Sequence, residues 1–143
     1  MIASRGQFTI STDKGRLETH VVRDYLKRSY WAQGRSEEVI ERSLQHSECF
    51  GLYNGDKQVG FARVISYYAT FAYLADVFVL EAYQGRGLGK WLVKTVLSHP
   101  EFSTCRWELH TKDANGLYAQ FGFEKPTNDR VMKRVSVDAR GLE

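Results

Sequence analysis

The sequence predicts an α+β fold in three layers, a mixed and mostly antiparallel central sheet of about six to seven strands flanked by about four helices. Three observations lead there. Apolar residues recur at helical spacing in two segments ahead of Cys49. From Cys49 to Leu80 the period falls to two, with a hairpin signal at Asn54-Gly55. A glycine-rich turn then joins the last of these strands to an amphipathic helix. The resulting order, β-α-α-β-β-β-α-β-α-β, combines antiparallel hairpins with crossover helices, and such a chain closes on a sheet covered by helices.

Phe8-Thr9-Ile10 reads as a first short strand, followed by the turn-forming Ser11-Thr12-Asp13-Lys14-Gly15. Leu17, Val21, Val22, Tyr25, Leu26 and Ser29 share one helical face, which predicts a helix from Leu17 to about Ser29. A second helix begins after Gly34-Arg35. Ser36 is its N-cap, Glu37 and Glu38 lie in its electropositive first turn, and Val39, Ile40 and Leu44 face inward. Cys49 to Tyr53 and Gln58 to Ser66 follow as strands, the latter alternating Val59, Phe61, Arg63 and Ile65. After a turn near Tyr67 to Thr70, Phe71 to Leu80 is almost wholly apolar, as a central strand covered on both faces should be. Leu88, Trp91, Leu92, Thr95 and Val96 mark one face of the next helix, with Pro100 beyond its end. Cys105 to Thr111 is predicted as a strand, Ala114 to Phe121 as a short helix and Arg130 to Val137 as a final strand.

At 143 residues there is room for one domain over 1–143, with 138–143 as a frayed tail. Hydrophobic residues make up 43% and charged ones 26%, a globular composition that excludes disorder as a class. Twenty Lys and Arg against seventeen Asp and Glu leave +3, scattered among acids. That suits an anionic small molecule and does not form the basic stripe of a nucleic-acid binder. Cys49 and Cys105 sit in apolar stretches with no second ligand nearby, so no metal site is expected. No apolar signal core and no membrane-length segment is present, and a cytoplasmic protein that does not contact membranes is the expectation.

The informative segment is Ala82-Tyr83-Gln84-Gly85-Arg86-Gly87-Leu88-Gly89-Lys90. It follows a buried strand and opens a helix. Glycines allow close backbone approach and positive φ, and the free N–H groups of the helix start favour an anion. Arg86 and Lys90 add cations. A phosphate or pyrophosphate fits such a turn, yet Trp91 after Gly-Lys excludes the Walker pattern, and Lys90 in place of glycine excludes the Rossmann fingerprint.

Gln84-x-x-Gly87-x-Gly89, placed after Tyr73 to Val79, resembles the acetyl-CoA-binding signature of the GNAT superfamily of N-acetyltransferases. Ala114-x-x-Leu117-Tyr118-x-x-Phe121-Gly122-Phe123 is similar to a second signature of that family, A-x-x-L-Y-x-x-x-G-F. The likeness covers residues 8 to 137. It implies a GNAT-like sheet whose central strand is bulged and splayed, so that main-chain groups of Val77, Phe78 and Val79 hold the pantetheine arm. It also implies that the pyrophosphate lies on the N–H groups of Gly85, Arg86, Gly87, Leu88, Gly89 and Lys90, with Gln84 shaping the loop. Tyr118 matches the general acid that protonates the departing thiolate; a buried helix aromatic is the plainer alternative for it.

Two positions depart from the family pattern. Diamine acetyltransferases carry a glutamate as proposed base where this chain has Ala75; Asp76 follows, and in a regular strand it would face the other way. Thr111 stands where many members have an asparagine that contacts CoA, leaving Asn115 as a substitute or as a surface residue. His110, on one strand face with Glu108, is the other candidate base or a solvent-facing histidine. The acceptor pocket maps to the link between the first two helices, where Tyr30, Trp31 and Arg35 form a wall for a substrate or plug the core. The implied function is direct transfer of an acetyl group from acetyl-CoA, as co-substrate, to a primary amine of a small molecule, without a metal. A protein lysine or N-terminal acetyltransferase and a non-catalytic acyl-CoA-binding module remain as alternatives, and homodimer formation is left open.

Overall fold

A computed structural model describes residues 2–126 and 130–134. Their strands form one six-stranded sheet in sequence order, β1 (Ala3–Arg5), β2 (Phe8–Ser11), β3 (Glu48–Asn54), β4 (Lys57–Ser66), β5 (Phe71–Val79) and β6 (Arg106–Glu108). Every pairing is antiparallel except β5 with β6. Helices α1 (Thr19–Arg28) and α2 (Glu37–Gln45) connect β2 to β3; α3 (Leu88–Leu97) crosses from β5 to β6, and α4 (Asn115–Ala119) follows β6. The sheet divides two cores. One gathers Phe50, Leu52, Val64 and Leu74 beneath Leu92, Val93 and Val96 of α3. The other packs Phe61 and Phe78 beneath Val22 and Leu26 of α1 and Ile40 and Leu44 of α2.

Most elements lie where their periodicity places them. Ser36 caps α2, its Oγ accepting from the Val39 N–H at 3.2 Å. The hairpin loop falls one residue later than Asn54-Gly55 suggests: Asn54 is still paired with Lys57, and Gly55 takes the positive φ of 60°. The first helix starts at Thr19, because Lys14–Arg16 forms a 3-10 turn that ends on Leu17. Strand β1 escaped the periodicity analysis. It is an exposed edge closed on β2 through Gly6 at φ +59°, so burial imposes no alternation on it. The strand expected over Cys105 to Thr111 is reduced to the three residues of β6, and the last helix to five. Arg130 to Arg134 are irregular rather than the start of a final strand; 135–137 lie outside the described residues.

Burial has left one polar atom stranded in β3. The Tyr53 hydroxyl is buried with no hydrogen-bond partner among the described residues, and burial pushes its phenol up to about 12. Such a hydroxyl costs about 1 kcal/mol or more. Tyr53→Phe should therefore raise Tm by about 3 °C, read by thermal melting at pH 7. The pH dependence carries a definite sign. A folded-state pKa above the usual 10.0 means that the folded form keeps its proton while the unfolded one releases it, so stability is lost as pH rises from about 10 to about 12. The Phe variant should show a shallower decline over that range. A lower Tm for the variant would mean that the hydroxyl is satisfied after all.

Candidate active site

β5 contains one residue more than β4 can match. Phe61 faces Phe78 and Arg63 faces Ala75, so two residues on β4 span three on β5. The extra residue is Asp76, held at φ +54° in the left-handed region that aspartate tolerates better than most side chains. This bulge settles the parity of the strand. Asp76 turns to the face covered by α1 and α2, the face to which Arg63 also points, instead of alternating away from it.

There it is enclosed. Arg63 Nε donates to Asp76 Oδ2 at 2.9 Å, Arg35 Nη1 donates to both carboxylate oxygens at 3.0 Å, and Trp31 Nε1 donates to Oδ1 at 2.8 Å. Arg63 Nη1 continues to Ser47 Oγ at 2.9 Å. The Asp76 side chain is 1% exposed. Four donor contacts already occupy the two carboxylate oxygens, so the geometry does not suit the base role that the sequence suggests. Trp31 and Arg35, expected as substrate contacts, are partly committed to the same carboxylate.

Beyond the bulge the sheet opens. β5 pairs with β6 only at Phe71, Ala72 and Tyr73, so among the described residues no strand pairs with the edge from Leu74 to Val79. Because the Leu80 N–H bonds the Val59 carbonyl at 2.8 Å, alternation turns the main-chain groups of Val77 and Val79 to the open edge. Phe78 pairs with Phe61, so its main-chain groups face β4 and are not available to a ligand, contrary to expectation; its ring stacks on Tyr25 at 4.1 Å. Gln84 Nε2 donates to the Val79 carbonyl at 2.8 Å and ties the glycine turn to the strand end.

Gly85 and Gly87 have φ of +79° and +76°, and a Cβ built on either meets no atom within 4 Å. Gly87 is the N-cap of α3 and gives no side-chain cap; the first turn holds no acid, and the N–H groups of Leu88, Gly89 and Lys90 have no acceptor among the described residues. Open space above two left-handed glycines, at a positive helix end, is a cradle that fits a diphosphate.

Cradle and bulge border one cleft of about 1280 Å³. Gln84, Gly85, Gly87, Leu88 and Gly89 line it, as do Val77, Val79 and Tyr118, together with Tyr30, Trp31, Arg35, Asp76 and His110. The side chains of three expected residues stay outside. Asn115 is exposed and does not line the cleft, Arg86 lies over the Tyr83 ring at 5.4 Å, and Lys90 is exposed beside the turn. Burial raises the phenols of Tyr118, Tyr25 and Tyr73 above their usual value, with the Asp76 charge adding to the effect on Tyr73. His110 is exposed, its ring edge-on to Tyr73 at 5.4 Å. Among the described residues no group of three or more His, Cys, Asp or Glu is placed to hold a metal, and no helix is long and apolar enough to cross a membrane.

Residues 45–125 match the model of the GNAT acetyltransferase domain, more than half of the chain. The chain belongs to the GNAT acetyltransferase family. A GNAT-family protein of Xanthomonas campestris pv. campestris has the same fold at TM-score 0.86 and 42% identity, covering 90% of this GNAT chain and 93% of that one. A GNAT-family acetyltransferase of Streptococcus pneumoniae superposes at TM-score 0.66 and 26% identity, covering 89% and 98%. A Gibberella zeae protein carrying an acetyltransferase name is 32% identical over 111 residues, 64% of this chain and 63% of that protein. The match thus spans a little under two thirds of that relative's length. Arg63 and Tyr25 line the cleft of this GNAT domain, a placement that sequence reasoning missed. An arginine at an inward position of an alternating strand was the available signal, since a buried cation needs an anion nearby.

Proposed function

We propose that the protein transfers an acetyl group from acetyl-CoA to a primary amine of a small molecule, with both substrates bound together in the cleft. The observation that carries this reading is the uncapped start of α3, with its two open left-handed glycines, at one end of a cleft that also holds the bulged strand edge and Tyr118. The N–H groups of Leu88, Gly89 and Lys90 would hold the diphosphate, and the open main-chain groups of Val77 with the Val79 N–H would pair with the pantetheine arm.

The N–C bond forms as the C–S bond breaks, the amine gives up one proton and the departing sulfur takes one. An N–H on the bulged edge can steady the oxyanion that develops on the carbonyl. Tyr118 supplies the proton to sulfur, and its burial keeps the phenol protonated and ready to donate. We assign Asp76 to holding the bulge and the α1–α2 link in place. Proton removal from the amine then falls to His110 or to water at its exposed imidazole.

The test is calorimetric titration with acetyl-CoA. Micromolar binding is expected for the wild type, and loss of at least about tenfold in affinity for Gly87→Glu, whose side chain fills the cradle and brings negative charge to it. A folded Gly87→Glu protein that binds unchanged would remove the cradle from the mechanism.

A further inference from the structure

We propose that the amine accepted by this cleft carries a carboxylate, as a small amino acid does, and that Arg35 receives it. The inference rests on the acetyl-transfer reading above and narrows its acceptor. Its first ground is charge. Arg35, Arg63 and Asp76 all line the cleft, and together they place two guanidinium groups against one carboxylate. The Arg63 side chain is 8% exposed, so the excess positive charge is held where water screens it poorly, and an anion beside it is favoured.

The second ground is the half-used fork of Arg35. Only Nη1 bonds Asp76; Nε and Nη2 have no acceptor among the described residues, and the side chain remains 17% exposed. Those two atoms form the side-on edge of the guanidinium, which matches a carboxylate with two parallel hydrogen bonds. Asp76 fixes the group from its other side, so the edge is preorganised instead of swinging in solvent.

The third ground concerns what the same wall lacks. A polyamine needs a free anion for its second ammonium. Asp76 is saturated, and Glu81 is taken by Arg28 at 2.9 Å and 3.2 Å, which leaves only the exposed Asp113 among the described lining carboxylates. Lys112 Nζ, 5.6 Å from the Tyr30 ring, adds another cation beside the aromatic wall.

Matched acceptors that differ only in the carboxylate test the assignment, phenylalanine against phenethylamine and lysine against cadaverine, with release of the CoA thiol as readout. The amino acid of each pair should have a kcat/KM at least about tenfold higher. In Arg35→Gln that ratio should fall towards one while acetyl-CoA still binds by calorimetry, and Arg35→Lys, which keeps the charge without the fork, should restore part of it. Faster turnover of the decarboxylated partner overturns the assignment and leaves acetyl transfer standing, as does a ratio that Arg35→Gln does not move. A tripeptide amide acetylated faster than any amino acid overturns it in favour of a protein N-terminus. Thiol release with none of these amines, in protein that binds acetyl-CoA, would overturn the acetyl-transfer reading together with the inference.

Discussion

Replacing Asp76 by alanine should destabilise the protein by about 3–5 kcal/mol, the range seen when one partner of a buried ion pair is removed. Two guanidinium groups lose their shared anion, Trp31 Nε1 loses its acceptor, and alanine must adopt φ +54° without a polar side chain to stabilise the left-handed turn. Against an ordinary margin of about 5–15 kcal/mol this is a large fraction, and Tm should drop by about 10 °C or more. Asp76→Asn separates shape from charge. Asparagine accepts the left-handed conformation and keeps one acceptor oxygen, so it should lose clearly less than alanine does. Urea denaturation of the three proteins makes the comparison. An alanine variant within about 1 kcal/mol of wild type would show that solvent or neighbouring groups absorb the two arginines, and the bulge would need another support.

Tyr118→Phe should leave the fold and acetyl-CoA binding in place and lower kcat by about 100-fold, at the modest end of general-acid effects because a thiolate leaves without much help. The pH profile distinguishes this from a packing defect. Burial raises the Tyr118 pKa above its usual 10.0, so the donating form is lost at higher pH than for a free phenol. An alkaline limb that belongs to Tyr118 should vanish in the Phe variant, whereas a limb that belongs to another group should remain at lower amplitude. A phenol acting through packing alone would leave kcat nearly unchanged in the Phe variant, since ring and contacts are kept, including the edge-on contact with Phe123 at 5.9 Å.

Periodicity and turn chemistry were enough to place the middle of the fold, because its strands and helices each bury one definite face. Phe61 and Phe78 or Leu92 and Val96 recur at spacings that only one kind of element satisfies. The failures have a common physical origin. β1 is an edge with little burial, and β6 pairs over three residues before diverging, so neither imposes a long pattern on its residues. In the site, the glycine cradle was readable because conformation itself demands glycine there. The arginine–aspartate cluster was not, since it depends on a single extra residue in β5 that reverses which way Asp76 points. Alternation alone would have kept Asp76 and Arg63 on opposite faces of the sheet.

The brief parallel contact of β5 with β6 has a mechanical meaning. β3, β4 and β5 are welded along long antiparallel ladders, whereas the part of the chain that carries β6, α4 and Tyr118 is joined to that sheet at three residue pairs and otherwise by side-chain packing. The molecule therefore resembles a rigid plate with a leaf attached by a narrow seam, and a molecule lying across the seam rivets the two together. Amide exchange should report such a division: slow for β3 and β4, faster for the leaf, and slowed in the leaf once acetyl-CoA is bound, so that the position of Tyr118 tightens as the seam is bridged.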